Sequence, residues 1–484
     1  MTKVLEAVNG IVWGLPVLIG IIGVGIYLTL RTRFAQVTLF PRALSTFCGQ
    51  FLGKKQLGGR SSFRALCTAL AATVGTGNIA GVAGAIALGG PGAVFWMWIC
   101  AFLGMVTKFA EAVLAVRYHA LDQNGERVSG PMYMIRNGLG KRWDWLGGLY
   151  CFFGVVAAFG VGNATQINTL VGGINDLISG FGVQQTTAGD LLMGVSLAVL
   201  ILMILRGGAG RIGAIAEMLV PFASVMYLLL GAGVLIVRAS ELSNAFSLIF
   251  LGAFSPEAVT GGMLGSAFTA LRTGASRGTF TNEAGMGTAA IAHGSAQVRH
   301  PVDQGLMGIV EVFLDTIVIC TMTALVILTS GVGIPYGMDV GASLTTDAFS
   351  LIYGPWIRVP LVLALCCFSI ATILGWGLYG ARCAQYLFGD GAWKIFTIFQ
   401  GAVVVLGAVL KTGTVWMLAE IVNGLMAIPN LIVLMLLSPE LVRLTNEYKI
   451  MCGRNDVAGG TYENIHKCKS LRAFSYEKVP PPGC

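Results

Sequence analysis

Charged side chains are rare in this sequence. Of its 484 residues 11% are Asp, Glu, Lys or Arg, while 55% are hydrophobic and the mean hydropathy is +0.77. A chain so apolar has lipid as its preferred solvent, which excludes an ordinary water-soluble domain. The four histidines are scattered, with no HExxH pair, and no P-loop occurs, so metalloprotease and P-loop ATP-pump chemistry are excluded. No CxxC or Cys/His metal spacing occurs among the 11 cysteines, most of which fall inside apolar segments and are expected as free thiols. A convincing signal-peptide cleavage site is also missing. The first apolar run, after Lys3 and Glu6, exceeds a signal-peptide core and is expected to stay in the mature protein.

What is present is a series of apolar runs, each long enough to cross about 30 Å of hydrocarbon. There are eleven, near 10–30, 65–88, 93–117, 145–174, 189–206, 213–237, 261–292, 305–330, 355–379, 393–410 and 415–437. The connection after the first carries Arg31, Arg33, Arg42, Lys54, Lys55, Arg60 and Arg64, and the one after the third carries Arg117, Arg127, Arg136, Lys141 and Arg142. Residues 172–190 and 331–354 contain no Lys or Arg. This alternation explains the net charge of +8 by orientation, with no need of nucleic acid: the basic loops are cytoplasmic, the N-terminus outside and the C-terminus inside. The polar residues after Pro439 read as a largely disordered cytoplasmic tail.

The 67 glycines suit close helix packing and interrupted helices. Ala72-Thr73-Val74-Gly75-Thr76-Gly77-Asn78 breaks the second apolar run, and Thr273-Gly274-Ala275-Ser276-Arg277-Gly278 is expected to break the seventh. Open backbone at bilayer depth needs a partner, and matching breaks in two halves of a chain point to the binding site of a secondary transporter. The fold class is therefore an all-α polytopic membrane protein: an N-terminal helix and basic loop (1–64), a five-helix repeat (65–238), a second, inverted one (239–438) and the tail (439–484).

At the first break the carbonyls of Ala71, Thr73 and Val74 are freed beside the Asn78 side chain, oxygens suited to a sodium ion. The Thr76 and Gly77 amides face outward at the start of the second half-helix, where an anion binds. Arg277 and Glu283 read as a bridge or gate pair rather than substrate contacts, since intramembrane charges seek one another. Asn163 and Gln166 are helical neighbours, whereas Asn168 points elsewhere. Asp315 is either a cation ligand or a buried acid paired with a neighbouring helix. Ser369, Thr372 and Trp376 lie in the ninth run. Gly375 and Gly377 leave room beside the indole, although packing is the commoner use of such a ring. A symporter, a channel and a membrane amino-acid sensor without net flux all fit this pattern.

Several stretches carry a resemblance to a known family. They are Gly75-Thr76-Gly77-Asn78-Ile79-Ala80-Gly81-Val82-Ala83, Gly89 to Trp98, Lys108-Phe109-Ala110-Glu111, Phe280 to Gly285 with Ile291-Ala292-His293, and Asn423 to Asn430. Over residues 10 to 440 the chain resembles the alanine/glycine:cation symporters, the sodium:alanine symporter family. The resemblance implies a LeuT-like fold with one extra N-terminal helix, and sodium-driven uptake of alanine or glycine across the plasma membrane, with no obligate protein partner. It implies cation ligands at Asn78 and the Thr73 carbonyl, and at the Ala71 and Val74 carbonyls with Thr372. It places the substrate carboxylate at Thr76 and Gly77 and the amine at Thr273 and Gly274. From the residue reading, Gln166 and Trp376 are added as candidate substrate contacts and Asp315 as a candidate cation ligand. Ala371 beside Thr372 departs from the usual pair of hydroxyl residues, as do Gly377 and Ala381 from the usual Ser and Glu.

Overall fold

The computed structural model describes residues 12–457 apart from 13–14, 54–58, 124, 181, 183, 263–265, 339 and 411. Lys54, Lys55, His466 and the rest of the expected tail beyond Val457 lie outside the described residues. The described chain is almost entirely helical, as apolar runs in lipid require: only a helix or a closed barrel satisfies every backbone group within one segment. A single two-stranded ribbon, β1 (Ala120–Leu121) with β2 (Arg127–Val128), is the exception among them.

In order, α1 is Leu15–Arg31, α2 Phe40–Phe51, α3 Gly59–Thr73, α4 Ala80–Gly89, α5 Ala93–Arg117 and α6 Lys141–Ser179. Then α7 is Thr187–Leu205, α8 Gly208–Val237, α9 Leu242–Phe254, α10 Ala267–Asn282, α11 Thr288–His293 and α12 Pro301–Ser330. Finally α13 is Ser343–Tyr353, α14 Pro355–Phe388, α15 Ala392–Val409, α16 Thr412–Leu436 and α17 Ser438–Val457. Seven of these are long and apolar enough to cross a membrane, or up to nine if each of two bent pairs counts once. One pair is α3 with α4, bent by 61°, and the other is α16 with α17, bent by 59°.

The expected tail begins as a helix. Pro439 occupies its first turn, and Leu441, Leu444 and Tyr448, spaced at three and four, turn a buried stripe to the bundle. Tyr448 donates to Asp303 Oδ1 at 2.9 Å and Lys449 to the Thr32 carbonyl at 3.1 Å, while Arg117 pairs with Glu440 at 3.0 Å. α2, α9 and α13 are likewise helices in stretches read as connections, too short or too amphipathic to register as spans.

At the centre, α12 and α10 both pack along α5. Gly274 allows the second contact: a Cβ there would lie 2.3 Å from the Ala93 carbonyl oxygen and 2.7 Å from Trp96 Cβ. Gly278 does the same against Met97. These glycines serve close packing and do not interrupt the helix.

Candidate binding site between two interrupted helices

The first interruption falls where the sequence places it. The last ladder bond of α3 runs from Val74 N–H to the Leu70 carbonyl at 2.7 Å. Gly75 N–H then turns to Asn78 Oδ1 at 2.9 Å, and Thr76 to Asn78 make one 3₁₀ turn before α4 begins. Among the described residues the carbonyls of Ala71, Thr73 and Val74 are left without a protein donor, whereas those further on are answered: Thr323 Oγ1 donates to the Asn78 carbonyl at 2.8 Å and Thr345 Oγ1 to that of Ile79 at 3.2 Å. Thr76 N–H reaches Gln166 Oε1 at 3.4 Å, and the Thr76 hydroxyl is buried without a partner.

Gly75 is the hub of this turn. A Cβ on it would sit 2.6 Å from Thr372 Oγ1 and 3.3 Å from Gln166 Oε1, so only glycine lets both oxygens close in on the broken backbone. The Thr372 hydroxyl, also buried and unpartnered, therefore stands beside the loose end of α3. Carbonyls, a hydroxyl and an amide oxygen gathered in a dry place form a donor set for a hard cation.

Two π-turns set the neighbours. Gly160–Ala164 inserts one in α6, which shifts the helical phase: Asn163 Nδ2 donates to the Gln400 carbonyl at 2.8 Å and Asn168 to that of Leu410 at 2.6 Å. Gln166 alone turns to the break; Asn163 does not share its wall, contrary to a reading at regular α spacing. Phe313–Cys320 forms the second, in α12, and carries Asp315. Asn78 Nδ2 donates to Asp315 Oδ1 at 2.7 Å, Thr316 Oγ1 to Asp315 Oδ2 at 2.8 Å, Asn282 Nδ2 to Thr316 Oγ1 at 3.2 Å, and Ala284 N–H to Asn282 Oδ1 at 3.0 Å. This chain of buried polar groups joins the first interruption to the second.

The second interruption lies about ten residues beyond its expected place. Thr273 to Gly278 are interior to α10, so Thr273 and Gly274 offer no open backbone, and Gly274 is sealed against α5. Gly274-Ala275-Ser276-Arg277-Gly278 also spells G-x-S-x-G, but inside an unbroken helix it lacks the strand-to-helix elbow that exposes a nucleophile. The helix stops at Glu283, whose φ of 54° is left-handed and rare for a residue with a long side chain, and Gly285 and Gly287 follow at 93° and 78°. Glu283 does not bridge to Arg277. Its Oε1 accepts from Trp376 Nε1 at 2.8 Å and its Oε2 lies 2.6 Å from Thr288 Oγ1. Trp376 is thus held by the second interruption and pressed on Gly162, where a Cβ would come within 2.1 Å of it.

Glu111 was quoted above only as part of a motif, and it is what holds this second break. Its Oε1 accepts from Gly285 N–H and Gly287 N–H, both at 3.0 Å, and from Asn430 Nδ2 at 2.8 Å. A carboxylate on the two glycine amides just before α11 answers both donors and faces the positive end of that helix. Rare charges inside the third and eighth apolar runs were the available signal: Lys108, Glu111 and Glu311 are fully buried there. At the basic end of the bundle a cavity of about 480 Å³ is lined by Arg64, Thr68, Arg127, Ile291 and Arg382 among others. Ion pairs cross its rim, Arg64 to Glu217 at 3.1 Å and Arg382 to Asp122 at 3.5 Å.

The profile of the sodium:alanine symporter family matches residues 1–456. The chain is 42% identical over 453 residues to the sodium/alanine symporter AgcS of Methanococcus maripaludis, covering 92% of this chain and 97% of that one. It is 36% identical over 456 residues to the probable sodium/glutamine symporter GlnT of Bacillus subtilis, covering 93% and 91%. Among solved structures it is similar to MhsT, crystallised in complex with L-phenylalanine. There the TM-score is 0.55 at 15% identity, over 81% of this chain and 99% of that one, a likeness of fold.

Proposed function

Because this chain belongs to the sodium:alanine symporter family and has the LeuT-like fold, we propose that it carries a small neutral amino acid, alanine or glycine, into the cell together with sodium by alternating access. The observation that supports this reading most is the meeting of two interrupted helices: Gly77 lies against Phe280 and Thr281, and Asn78, Asp315, Thr316 and Asn282 run as one hydrogen-bonded chain from the first break to the second.

Sodium binds at the Ala71, Thr73 and Val74 carbonyls with Thr372 and Asn78, Asp315 balancing its charge from behind. The substrate carboxylate takes the Thr76 and Gly77 amides and Gln166, and Trp376 closes the pocket. The amine has to be sought at the second interruption, Glu283 to Gly287, rather than at Thr273 and Gly274. The 65–238 and 239–438 halves rock against one another as inverted repeats after α1, in the plasma membrane, with the basic end cytoplasmic and the cavity beside Arg64 and Arg382 as the exit. Each solute favours the occluded state when the other is present, and the coupling is reciprocal.

Proteoliposomes containing the full chain should take up alanine saturably in sodium and lose that uptake when choline replaces it. Conductance without saturation by the amino acid indicates a channel, and binding without flux a sensor; either overturns the proposal.

A further inference from the structure

Beside the proposed site lies a group of titratable residues, of which the transport reading uses only Asp315 and, for the amine, the neighbourhood of Glu283. α5 contributes Lys108 and Glu111, the second interruption Glu283, α11 His293, and α12 Glu311 with Asp315 one turn further on; all are buried. α6 and α14 face the group with the phenols of Tyr150 and Tyr379, and α16 with the neutral Asn430. Lys108 Nζ binds Glu311 Oε1 at 2.9 Å, and His293 Nε2 lies 2.8 Å from Glu311 Oε2. Gln304 Nε2 donates to His293 Nδ1 at 2.7 Å, and Ser62 donates to Gln304 Oε1 at 2.6 Å. With the Gln304 amide donating to Nδ1, the Nε2–H of His293 is the donor to Glu311.

Lys108 therefore neutralises one carboxylate, Glu311. Glu111 has the Gly285 and Gly287 amides and the Asn430 amide to face. Glu283 has neither: an indole N–H and a hydroxyl are its partners. Asp315 accepts from the Asn78 amide and the Thr316 hydroxyl and faces the proposed sodium site, whose cation would balance it. With Glu111, Glu283, Glu311 and Asp315 all ionised against one ammonium, three negative charges stay uncompensated in a dry interior, which proteins avoid by neutralising a group. The Thr288 hydroxyl, 2.6 Å from Glu283 Oε2, accepts as readily as it donates, so a carboxylic acid fits there without moving an atom.

We propose that Glu283 carries a proton in this conformation and releases it when sodium binds, making the second interruption a proton site. The Oε2–H bond breaks, the carboxylate keeps the electron pair, the proton leaves to water, and the arriving cation supplies the positive charge that stabilises the new anion. The bonded chain from Asn78 to Asn282 ends one residue from Glu283 and carries the link. The exchange with sodium rests on the transport reading above; the proton itself does not.

Infrared difference spectra of the purified full chain in detergent, at neutral pH and with sodium against choline, test this. The expected result is a protonated carboxylic acid carbonyl band that sodium removes, that is missing in Glu283→Gln, and that shifts in Thr288→Val, where the acid stays and its acceptor goes. Absence of such a band, or the same band in Glu283→Gln, overturns the proton site. A band that depends on Glu283 yet ignores saturating sodium overturns the exchange. Should Glu283→Gln fail to fold, an unshifted band in Thr288→Val overturns the assignment. Loss of sodium-driven uptake by the wild type with the band intact counts against the transport reading alone.

Discussion

The two interrupted helices answer the same problem with opposite chemistry. At the first, between α3 and α4, every partner the protein supplies is neutral: Asn78 and Gln166 for amides, Thr323 and Thr345 for carbonyls. The carbonyls of Ala71, Thr73 and Val74 and the hydroxyls of Thr76 and Thr372 are left over. At the second, between α10 and α11, a carboxylate from α5 takes two amides at once, and a second carboxyl group, that of Glu283, sits at the end of the helix. A break closed by charge is locked, whereas one closed by neutral dipoles with oxygens to spare can receive a cation. On the proposed reading the first break therefore captures the cation, while the second, held by Glu111, is the firmer wall at which the amine is sought.

Asn78→Ala is the sharpest way to break this comparison. It removes the cap on Gly75 N–H and the link to Asp315 together. Two buried groups left unpaired cost on the order of 3 kcal/mol, about a hundredfold in affinity. Sodium-driven alanine uptake is expected to vanish at ordinary sodium concentration while Cys151→Ala, a buried thiol away from both breaks, transports normally. Uptake by the Asn78 variant at the wild-type sodium dependence removes the cation assignment.

Glu111→Gln is expected next in size. The amide keeps the shape and one acceptor oxygen but loses the charge, and hydrogen bonds to a charged group are worth roughly twice neutral ones. The second break should loosen by about 1.5–3 kcal/mol, seen as a lower thermal midpoint of the detergent-solubilised protein and faster amide exchange at Gly285 and Gly287. If exchange at those two amides is unchanged, the second break is not locked by charge.

The unequal chemistry of the two breaks explains which one was legible in the sequence. Gly75-Thr76-Gly77-Asn78 carries its own cap in Asn78 and stands in an otherwise apolar run, so both its place and its oxygens could be read. The second was displaced to Gly274 and Gly278 because glycine serves two ends, bending a helix and letting two helices touch, and only the position of Ala93 and Trp96 tells them apart. Its real partner, Glu111, lies on another helix about 170 residues away in sequence and was visible only as an oddly placed charge. The π-turns that bring Gln166 and Asp315 to the site leave no mark in hydropathy. The helix Ser438–Val457 was missed because its buried residues Leu441, Leu444 and Tyr448 are interleaved with polar ones, a pattern that a search for long apolar runs passes over.

The smallest effect should come from Thr345→Val. Its hydroxyl donates at 3.2 Å to the Ile79 carbonyl, which also accepts from Ala83 N–H at 3.3 Å, so the loss strands no backbone group. Only the net worth of one neutral bond is at stake, about 1 kcal/mol or some fivefold in half-saturating sodium. α13, which carries Thr345, packs on α4, so its hydroxyl ties that helix to the second half of the broken pair. The shift should therefore appear in sodium dependence while maximal uptake holds. A loss as large as that of Asn78→Ala would mean that the carbonyls beyond the turn, and not those of Ala71, Thr73 and Val74 before it, set the affinity for the cation, and the two ends of the first break would have to exchange roles.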